Sequence, residues 1–228
     1  MSIETVHLAI RLEGPLQAWG LDSQFSRRNT GLIPTKSAIL GMCCAALGLP
    51  RGSDAESQWL GRLRLVRMLA VAIPRQIGHS EKTLSVRRMT DYHTVQNTKT
   101  AEGKPKDTHL TFRQYLFDAA FGVVLSGEPE VLDKVATALD DPIWGVWLGR
   151  KACIPAAPVF SGVFSSESEA LRVLIGELSL QQVSHQREVE TFETGVDTLS
   201  DQPLSFDPEH RAYTPRRTLT VEAKIEYE

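Results

Sequence analysis

Residues 14–41, GPLQAWGLDSQFSRRNTGLIPTKSAILG, combine residue types that can hold a phosphate or a nucleobase. Glycines after a strand let the backbone approach a phosphate, and a helix beginning at Lys36 offers N–H groups and the positive end of its dipole. Arg27 and Arg28 add positive charge, and Trp19 can stack on a base. The sequence contains neither G-x-x-x-x-G-K-[ST] nor G-x-G-x-x-G, so a classical nucleotide cofactor is unsupported. The alternative is a plain surface loop in which Trp19 only packs.

A second candidate is the basic segment 82–113, which has seven Lys or Arg and three Asp or Glu. Its net charge is therefore +4, which leaves −7 for the remainder of the chain. Its flanks alternate as strands do, and we predict a long β-hairpin with a mobile, polar tip. Such an arm can reach over a nucleic-acid strand; the alternative is a merely solvated charged face. The basic side chains that would do so are Arg87, Arg88, Lys99, Lys104, Lys106 and Arg113.

The segment WGVWLGRKACIP, residues 144–155, is the third candidate. Trp147 precedes the pair Arg150 and Lys151, and an aromatic ring beside a guanidinium can form a stacking platform for bases. The alternative is a core tryptophan in a turn-rich region.

Catalytic signals are sparse. Tyr92 and His93 lie in the basic segment near Lys99, and a metal-free ribonuclease needs a base, an acid and a cation at the phosphate. The alternative is that these residues only bind RNA or pack. The six histidines are scattered, with no H-x-x-x-H and no acidic cluster, and no G-x-S-x-G occurs. We therefore predict no metal and no cofactor.

Composition bounds the class of protein. The chain has 228 residues and a net charge of −3, which argues against a uniformly basic nucleic-acid coat. Three cysteines, two of them adjacent, indicate buried thiols in a reducing compartment. The start lacks a signal peptide, and the longest apolar run is too short to span a bilayer. We expect a cytoplasmic protein without a membrane partner.

Periodicity predicts alternating strands and helices around a long loop at 15–34. Thr35 is the expected cap of a buried helix from Lys36 to about Leu47, and Ser53 of a second helix. The acidic stretch 188–209 is predicted to be rich in turns. The predicted strands are 6–14, 64–75, 117–127, 169–180 and 216–227, and the later predicted helix is 128–141.

This order predicts an α+β, ferredoxin-like fold, the fold that also underlies the RNA-recognition motif. The usual aromatic RNA-stacking signature of that motif is absent, so RNA would contact loops and the arm. The predicted parts are a core at 1–81 and 114–150, an inserted β-hairpin at 82–113, and a C-terminal extension at 151–228.

Several sequence blocks together resemble the CRISPR-associated "Cas five" family, most closely its type I-E form. The resemblance covers about residues 6–165. The blocks are LAIRLEGPLQAWG, RRNTGLIPTKSAILGMCCAALGL, DYHTVQN, TFRQYLFDAAF and WLGRKACIPAAPVFSG.

The resemblance implies a modified RNA-recognition-type fold with a thumb, matched here by 82–113. Members cap the 5′ handle of CRISPR RNA (crRNA) and contact the large subunit and the first backbone subunit of the Cascade complex. Through that complex they meet target DNA. In type I-E a separate endonuclease matures the RNA, whereas the type I-C member cleaves it with Tyr, Lys and His. The residues that match family blocks are Gln17, Trp19, Arg27, Arg28, Lys36, Tyr92, His93, Arg113, Trp147, Arg150 and Lys151.

The expected function is a non-catalytic RNA-binding and assembly subunit of a type I Cascade complex in antiviral defence. The alternative is a metal-independent endoribonuclease that processes pre-crRNA. A third possibility is a protein-only adaptor.

Overall fold

The computed structural model describes residues 4–21, 23, 26–76, 83–84, 86–100, 102–106, 108–191, 193–195 and 197–223. It is a mixed α+β protein. The helices are α1 Lys36–Ala46, α2 Asp54–Leu63, α3 Pro129–Asp140 and α4 Glu167–Ile175. The strands are β1 Val6–Glu13, β2 Leu16–Gln17, β3 Arg27–Arg28, β4 Arg67–Ala72, β5 Arg75–Gln76, β6 Thr83–Leu84, β7 Arg87–Val95, β8 Thr98–Lys99, β9 Pro105–Lys106, β10 His109–Phe117, β11 Ala120–Gly127, β12 Phe160–Phe164, β13 His185–Glu188, β14 Asp197–Ser205 and β15 Ala212–Val221.

Seven strands form the main sheet, in the order β12-β1-β11-β4-β13-β15-β14. All neighbouring pairs in it are antiparallel. The sheet continues across the expected boundary at residue 150, because β12 pairs with β1 and β13 pairs with β4. The C-terminal part of the chain is therefore hydrogen-bonded into the same sheet as the N-terminal part.

Alternation along β1 places apolar side chains on both faces of this sheet. Leu8, Ile10 and Leu12 join the larger core with α1, α2 and α3, whereas Ala9 faces the cluster built around α4. Because both faces are covered, β1 is apolar through most of its length, as buried strands are.

Helix α4 corrects the predicted strand at 169–180. The Ser166 hydroxyl accepts a hydrogen bond from the Glu169 N–H, which caps the helix start. Ala170, Leu171 and Leu174 then form a buried helical stripe. Gly176, with a φ of +65°, follows the last helical residue and permits the chain to turn away.

Strands β7 and β10 form an antiparallel hairpin. β7 and β10 pair in antiparallel register from His109 opposite Val95 to Phe117 opposite Arg87, so its second strand extends beyond residue 113. The other edge of β10 pairs with the short strands β2 and β3. The hairpin thus forms a second sheet anchored to the opening loop.

The stretch 188–209, predicted to be turn-rich, contains strand β14 instead. Pro203 lies within it, which is tolerated because β14 is an edge strand that pairs with β15 only. Asp201 is buried and binds Arg216 of β15 at 2.6 Å. This buried ion pair between β14 and β15 stabilises the extended conformation of a polar segment.

No helix in the described part of the chain is long and apolar enough to cross a membrane.

Candidate nucleic-acid interface

A groove runs along the exposed side of α1, with a volume of about 660 Å³. We call it the α1 groove. Its floor is made of small side chains at helical spacing, namely Ser37, Ala38, Gly41 and Ala45. The opening loop and the segment 144–151 form its walls, together with 206–213 after β14. Small residues at i, i+1, i+4 and i+8 leave room for a chain or a ring to lie against the helix.

Aromatic and basic side chains line this groove. Trp144, Trp147 and Tyr213 are large aromatic side chains that line the groove and are exposed. Five basic residues line the groove, together with a single acidic residue, Glu56. This excess of positive charge over a cleft attracts a polyanion. The basic residues are Arg28, Arg51, Arg150, Lys151 and Arg211.

Arg150 connects the groove wall to the hairpin. Its guanidinium donates to the carbonyl oxygens of Gln114 at 2.6 Å and Arg28 at 2.8 Å. It also lies 4.6 Å from the ring centroid of Tyr115. The role expected for Arg150 is therefore modified, because two of its N–H groups hold the opening loop against β10. The neighbouring Lys151 is exposed to solvent.

Gly149 sets the distance between two walls of the groove. Its φ is +97°, and a Cβ there would lie 1.8 Å from the carbonyl oxygen of Ala18. The adjacent Leu148 carbonyl accepts from the Ala18 N–H at 3.0 Å. Only glycine fits this approach of two backbones.

A second surface lies on the outer face of the hairpin, and we call it the hairpin platform. Tyr92 and Phe112 are opposite each other in the register, both exposed, with ring centroids 5.4 Å apart. The guanidinium of Arg27 lies 5.8 Å from the Phe112 ring. Two rings and a cation on one exposed sheet face form a surface on which bases can stack.

The remaining basic residues of the hairpin differ in what their side chains contact. Arg87 lies 4.3 Å from the Phe117 ring centroid, and Arg88 and Arg113 belong to the same strand pair. Lys104 pairs with Glu102 at 3.2 Å. Lys106 falls in β9, but its side chain lies outside what the structure describes.

Two predicted site residues are in the core, which corrects their expected role. The Gln17 amide donates to the carbonyl oxygens of Leu12 and Ala119. Trp19 is fully buried and packs edge-to-face on Phe121, with centroids 6.5 Å apart. Neither side chain is available for RNA, because the loop folds back onto the sheet.

Lys36 is corrected in the same way. Its ammonium group is fully buried, 2.9 Å from Glu188, and it also donates to Gln202 and the Arg64 carbonyl. Burial lowers its pKa, and Glu188 opposes that shift.

The α1 N-terminus, expected to be open to a phosphate, is occupied by this chain itself. The Asp201 carboxylate accepts from the Lys36 N–H at 2.8 Å, and Thr35 makes no side-chain capping bond. The negative charge at this helix N-terminus is therefore supplied by Asp201 of the same chain.

The candidate catalytic residues do not converge. Tyr92 and His93 are consecutive in β7 and so point to opposite faces of the hairpin. His93 Nδ1 lies 3.6 Å from Asp91, on its own strand. Across the described ranges, no group of three or more His, Cys, Asp or Glu could hold a metal ion.

Three residues that line the groove lie outside every segment that the sequence singles out. Only the tertiary fold brings them to the groove, and no local motif marks them. They are Arg51, Arg211 and Tyr213. Trp144 and Phe112 lie within the candidate segments 144–155 and 82–113, but the sequence does not single them out there.

Comparisons with known proteins agree on the family. The sequence pattern of the family described as CRISPR-associated protein (Cas_Cas5) matches residues 7–218. The CRISPR system Cascade subunit CasD of Escherichia coli (strain K12) is 34% identical over 161 residues, 68% of this chain and 70% of that protein. The chain belongs to this CRISPR-associated family.

Solved structures are similar over nearly the whole chain. A chain of a CRISPR RNA-guided surveillance complex superposes with a TM-score of 0.73 at 27% identity, covering 95% of this chain and 90% of that one. A crystal structure of a Cas protein gives a TM-score of 0.67 at 29% identity, covering 94% and 93%. The resemblance in the sequence blocks and the resemblance in the fold therefore point to the same family.

Proposed function

We propose that this protein is a non-catalytic RNA-binding and assembly subunit of a type I CRISPR Cascade complex, acting in the cytoplasm in antiviral defence. Its RNA is the 5′ handle of crRNA. The observation that carries the proposal is the α1 groove, in which five cations and three exposed aromatic rings line one cleft. Single-stranded RNA is bound by this combination, because phosphates take the charge and splayed bases stack on rings.

The hairpin platform supplies a second surface for the same RNA. Arg150 ties β10 to the opening loop, so the platform and the groove are held to one framework. A strand of RNA leaving the groove has Tyr92, Phe112 and Arg27 as further stacking partners. The basic residues proposed to contact RNA are Arg27, Arg28, Arg51, Arg87, Arg88, Lys104, Lys106, Arg113, Lys151 and Arg211.

The core belongs to the ferredoxin-like class in this proposal. The strand order β12-β1-β11-β4, with helices connecting β1 to β4 and β11 to β12, supports it. The inserted hairpin is then the thumb, and β13 to β15 are the C-terminal extension of the sheet.

Protein partners follow from the names of the relatives. One is a Cascade subunit and another is a chain of a surveillance complex. We propose that the large subunit and the first backbone subunit contact this chain, and that target DNA is reached only through the assembled complex.

The opposite orientation of Tyr92 and His93 supports a binding role over catalysis. One phosphodiester cannot be reached from both faces of a hairpin at once. The alternative, a metal-independent endoribonuclease, therefore needs a different pair of groups.

A cleavage-and-binding assay separates the two functions. The full chain, with EDTA, is mixed with an intact CRISPR repeat RNA and with the mature 5′ handle. We expect an uncut repeat and selective binding of the handle. Cleavage that disappears in His93→Ala would make the protein an endonuclease, and absence of binding to both RNAs would refute an RNA-binding role.

A further inference from the structure

The hairpin ends in a long strand that has a neighbour on one side only. Both edges of β10 are occupied, by β7 on one side and by β2 and β3 on the other. Within the described residues, β7 pairs with β10 alone. β7 is nine residues long, and none of its side chains is buried. We call its unpaired side the free edge of β7.

The backbone groups at this free edge can be assigned from β10. The Phe112 N–H donates to the Ser26 carbonyl at 2.8 Å, on the β3 side, so it points away from β7. Tyr92 is opposite Phe112, and its own N–H and C=O therefore point away from β10. Strand alternation places the same groups of every second residue at the free edge. These residues, all exposed, are Arg88, Thr90, Tyr92 and Thr94.

The other long edges of the described sheets are interrupted, and that of β7 is not. β14 contains Pro203, and its register with β15 shifts twice. β12 has only five residues, and its register with β1 also shifts. Such interruptions keep a foreign strand from pairing with an exposed edge. β7 has no proline, and its register with β10 is continuous over all nine residues.

The chemistry of the free edge selects its partner. It offers both N–H and C=O groups, which another protein strand satisfies in full. RNA phosphates only accept hydrogen bonds and would be repelled by the carbonyl oxygens. Segment 82–113 has a net charge of +4, so a second copy of the hairpin is repelled and an acidic strand is attracted.

The exposed apolar side chains of β7 favour β-branched residues in that strand. Tyr92 is exposed on one face of the hairpin and Met89 on the other. Residues of an added strand would lie beside them, and β-branched side chains pack well against such cross-strand neighbours. An acidic strand with alternating valine or threonine therefore fits both the charge and the surface of β7.

We propose that the free edge of β7 binds an extended, acidic segment of a protein partner as an additional strand of the hairpin sheet. Backbone hydrogen bonds supply the affinity, and the acidic side chains supply the selectivity. The inference rests on the assembly role proposed above, and it adds the surface and the kind of partner segment.

The test titrates a fluorescently labelled peptide, EVTVEVTVE, with the full chain and follows anisotropy. A second form of the peptide is N-methylated at two neighbouring residues in its middle, which blocks both of its edges. Because backbone hydrogen bonds are then lost, we expect the methylated form to bind at least about tenfold more weakly. The basic peptide KVTVKVTVK should also bind more weakly than EVTVEVTVE, by a similar factor.

Thr90→Pro tests the free edge from the protein side. It removes an N–H that points away from β10, and proline is tolerated where the N–H of an edge strand faces solvent. We expect a loss of peptide affinity on the order of tenfold. The matched control is Thr90→Val, which keeps the N–H and should bind as wild type does. If the melting temperature shows that Thr90→Pro is unfolded, the methylated peptide still tests the proposal on wild type.

The outcomes separate strand addition from other occupants of the edge. Absence of peptide binding by wild type, or equal binding of the methylated peptide, overturns the proposal. Dimerisation of wild type that disappears in Thr90→Pro would assign the edge to a second copy. Loss of affinity for handle RNA in Thr90→Pro but not in Thr90→Val would assign it to RNA. Either of these results also overturns the proposal.

Handle RNA measured in parallel keeps this inference distinct from the proposed RNA binding. Wild type that binds the handle but not the peptide refutes strand addition and leaves RNA binding standing. Wild type that binds the peptide but not the handle refutes RNA binding and supports the free edge of β7 as a protein contact.

Discussion

At the scale of single residues, Lys36 is a positive charge held in the interior. Glu188 neutralises it, and Arg216 and Asp201 continue the network. Taking such charges out of water is costly, and only complete pairing offsets that cost. The network is therefore sensitive to the loss of any one member.

Glu188→Gln should lower the free energy of unfolding by about 3–5 kcal/mol, because it leaves the Lys36 ammonium buried without its counter-charge. Urea unfolding measures the change. Glu190→Gln, two residues away and exposed in its pair with Arg67, is the control, with an expected cost of about 0–1 kcal/mol. Equal losses in both variants would show that burial is not the cause.

His7 gives the protein a pH dependence of known sign. Burial lowers its pKa, while Glu167 raises it and Arg67 lowers it further. The unfolded chain therefore takes up a proton more readily than the folded chain as the pH falls through the ordinary value of about 6.5. The stability contributed by neutral His7 is present above that pH and is lost below it.

Accordingly, the free energy of unfolding of wild type should fall more steeply between about pH 7 and pH 5 than that of His7→Gln. Chemical unfolding at several pH values measures both slopes. The exposed His210→Gln is the matched control. If the free energy of unfolding depends on pH in the same way for wild type and His7→Gln, His7 is not the source of this pH dependence.

At the scale of elements, Gly149 determines how segment 144–151 meets the opening loop. Gly149→Ala should lower stability by about 1–3 kcal/mol, because it adds a Cβ against the Ala18 carbonyl at a positive φ. Affinity for RNA should fall with it, since the wall of the groove moves. Thermal unfolding and anisotropy measure the two effects.

Gly61→Ala is the control for that substitution. Gly61 lies within α2, and a Cβ there meets nothing within 4 Å. Alanine should be neutral or stabilising by about 0.5–1 kcal/mol. A loss of stability in Gly61→Ala as large as that in Gly149→Ala would show that the close approach of the Ala18 carbonyl is not the cause.

The tip of the hairpin is a separate element. Deleting 99–106 should leave the melting temperature within a few degrees of wild type, as polar hairpin tips contribute little to a core. β7 and β10 keep their nine-residue pairing in this variant. Aggregation of the purified variant would show that the tip covers apolar surface.

Local pattern predicts those elements whose side chains meet neighbours close in sequence. The hairpin alternates, and α2 and α3 follow helical periodicity between clear ends. The strand predicted at 169–180 is wrong because this window spans two different structures. It contains most of α4 and also the four residues that follow the turn at Gly176. β14 is not predictable from local pattern, because Asp201, which is buried, and Gln202, which is half-buried, bind partners 15 or more residues away.

The same distinction applies to the residues of the candidate site. Arg27, Arg28, Trp147 and Lys151 could be found because their charge or aromatic character is exposed and clustered in sequence. Nothing in the local sequence distinguishes Lys36 from a lysine on the surface. Its burial depends on partners that are distant in the sequence. Sequence alone also cannot connect Arg51 with Arg211, since the groove itself is a product of tertiary packing.

At the scale of the whole molecule, charge is unevenly distributed. The net charge is −3, yet five cations line one groove. Under the proposed RNA-binding function, the acidic remainder of the surface repels RNA and so confines binding to the basic surface.

Lys151→Gln should therefore make the slope of log affinity against log salt shallower by about 0.7, the value for one phosphate on a single strand. Titrations of handle RNA at several salt concentrations measure it. Lys134→Gln on α3, a lysine outside the groove that pairs with Glu130, should leave the slope unchanged. An unchanged slope for Lys151→Gln would show that this lysine touches no phosphate.

The pairing of Lys36 also determines when the molecule can be completed during its synthesis. Its counter-charge Glu188 lies 152 positions further along the chain, and Asp201, which caps the same helix, lies 165 positions further. A ribosome delivers these residues only after β13 and much of β14 have been translated. Until then α1 lacks its cap and Lys36 lacks its carboxylate, so this helix and its buried lysine can reach their final arrangement only after those strands have been made.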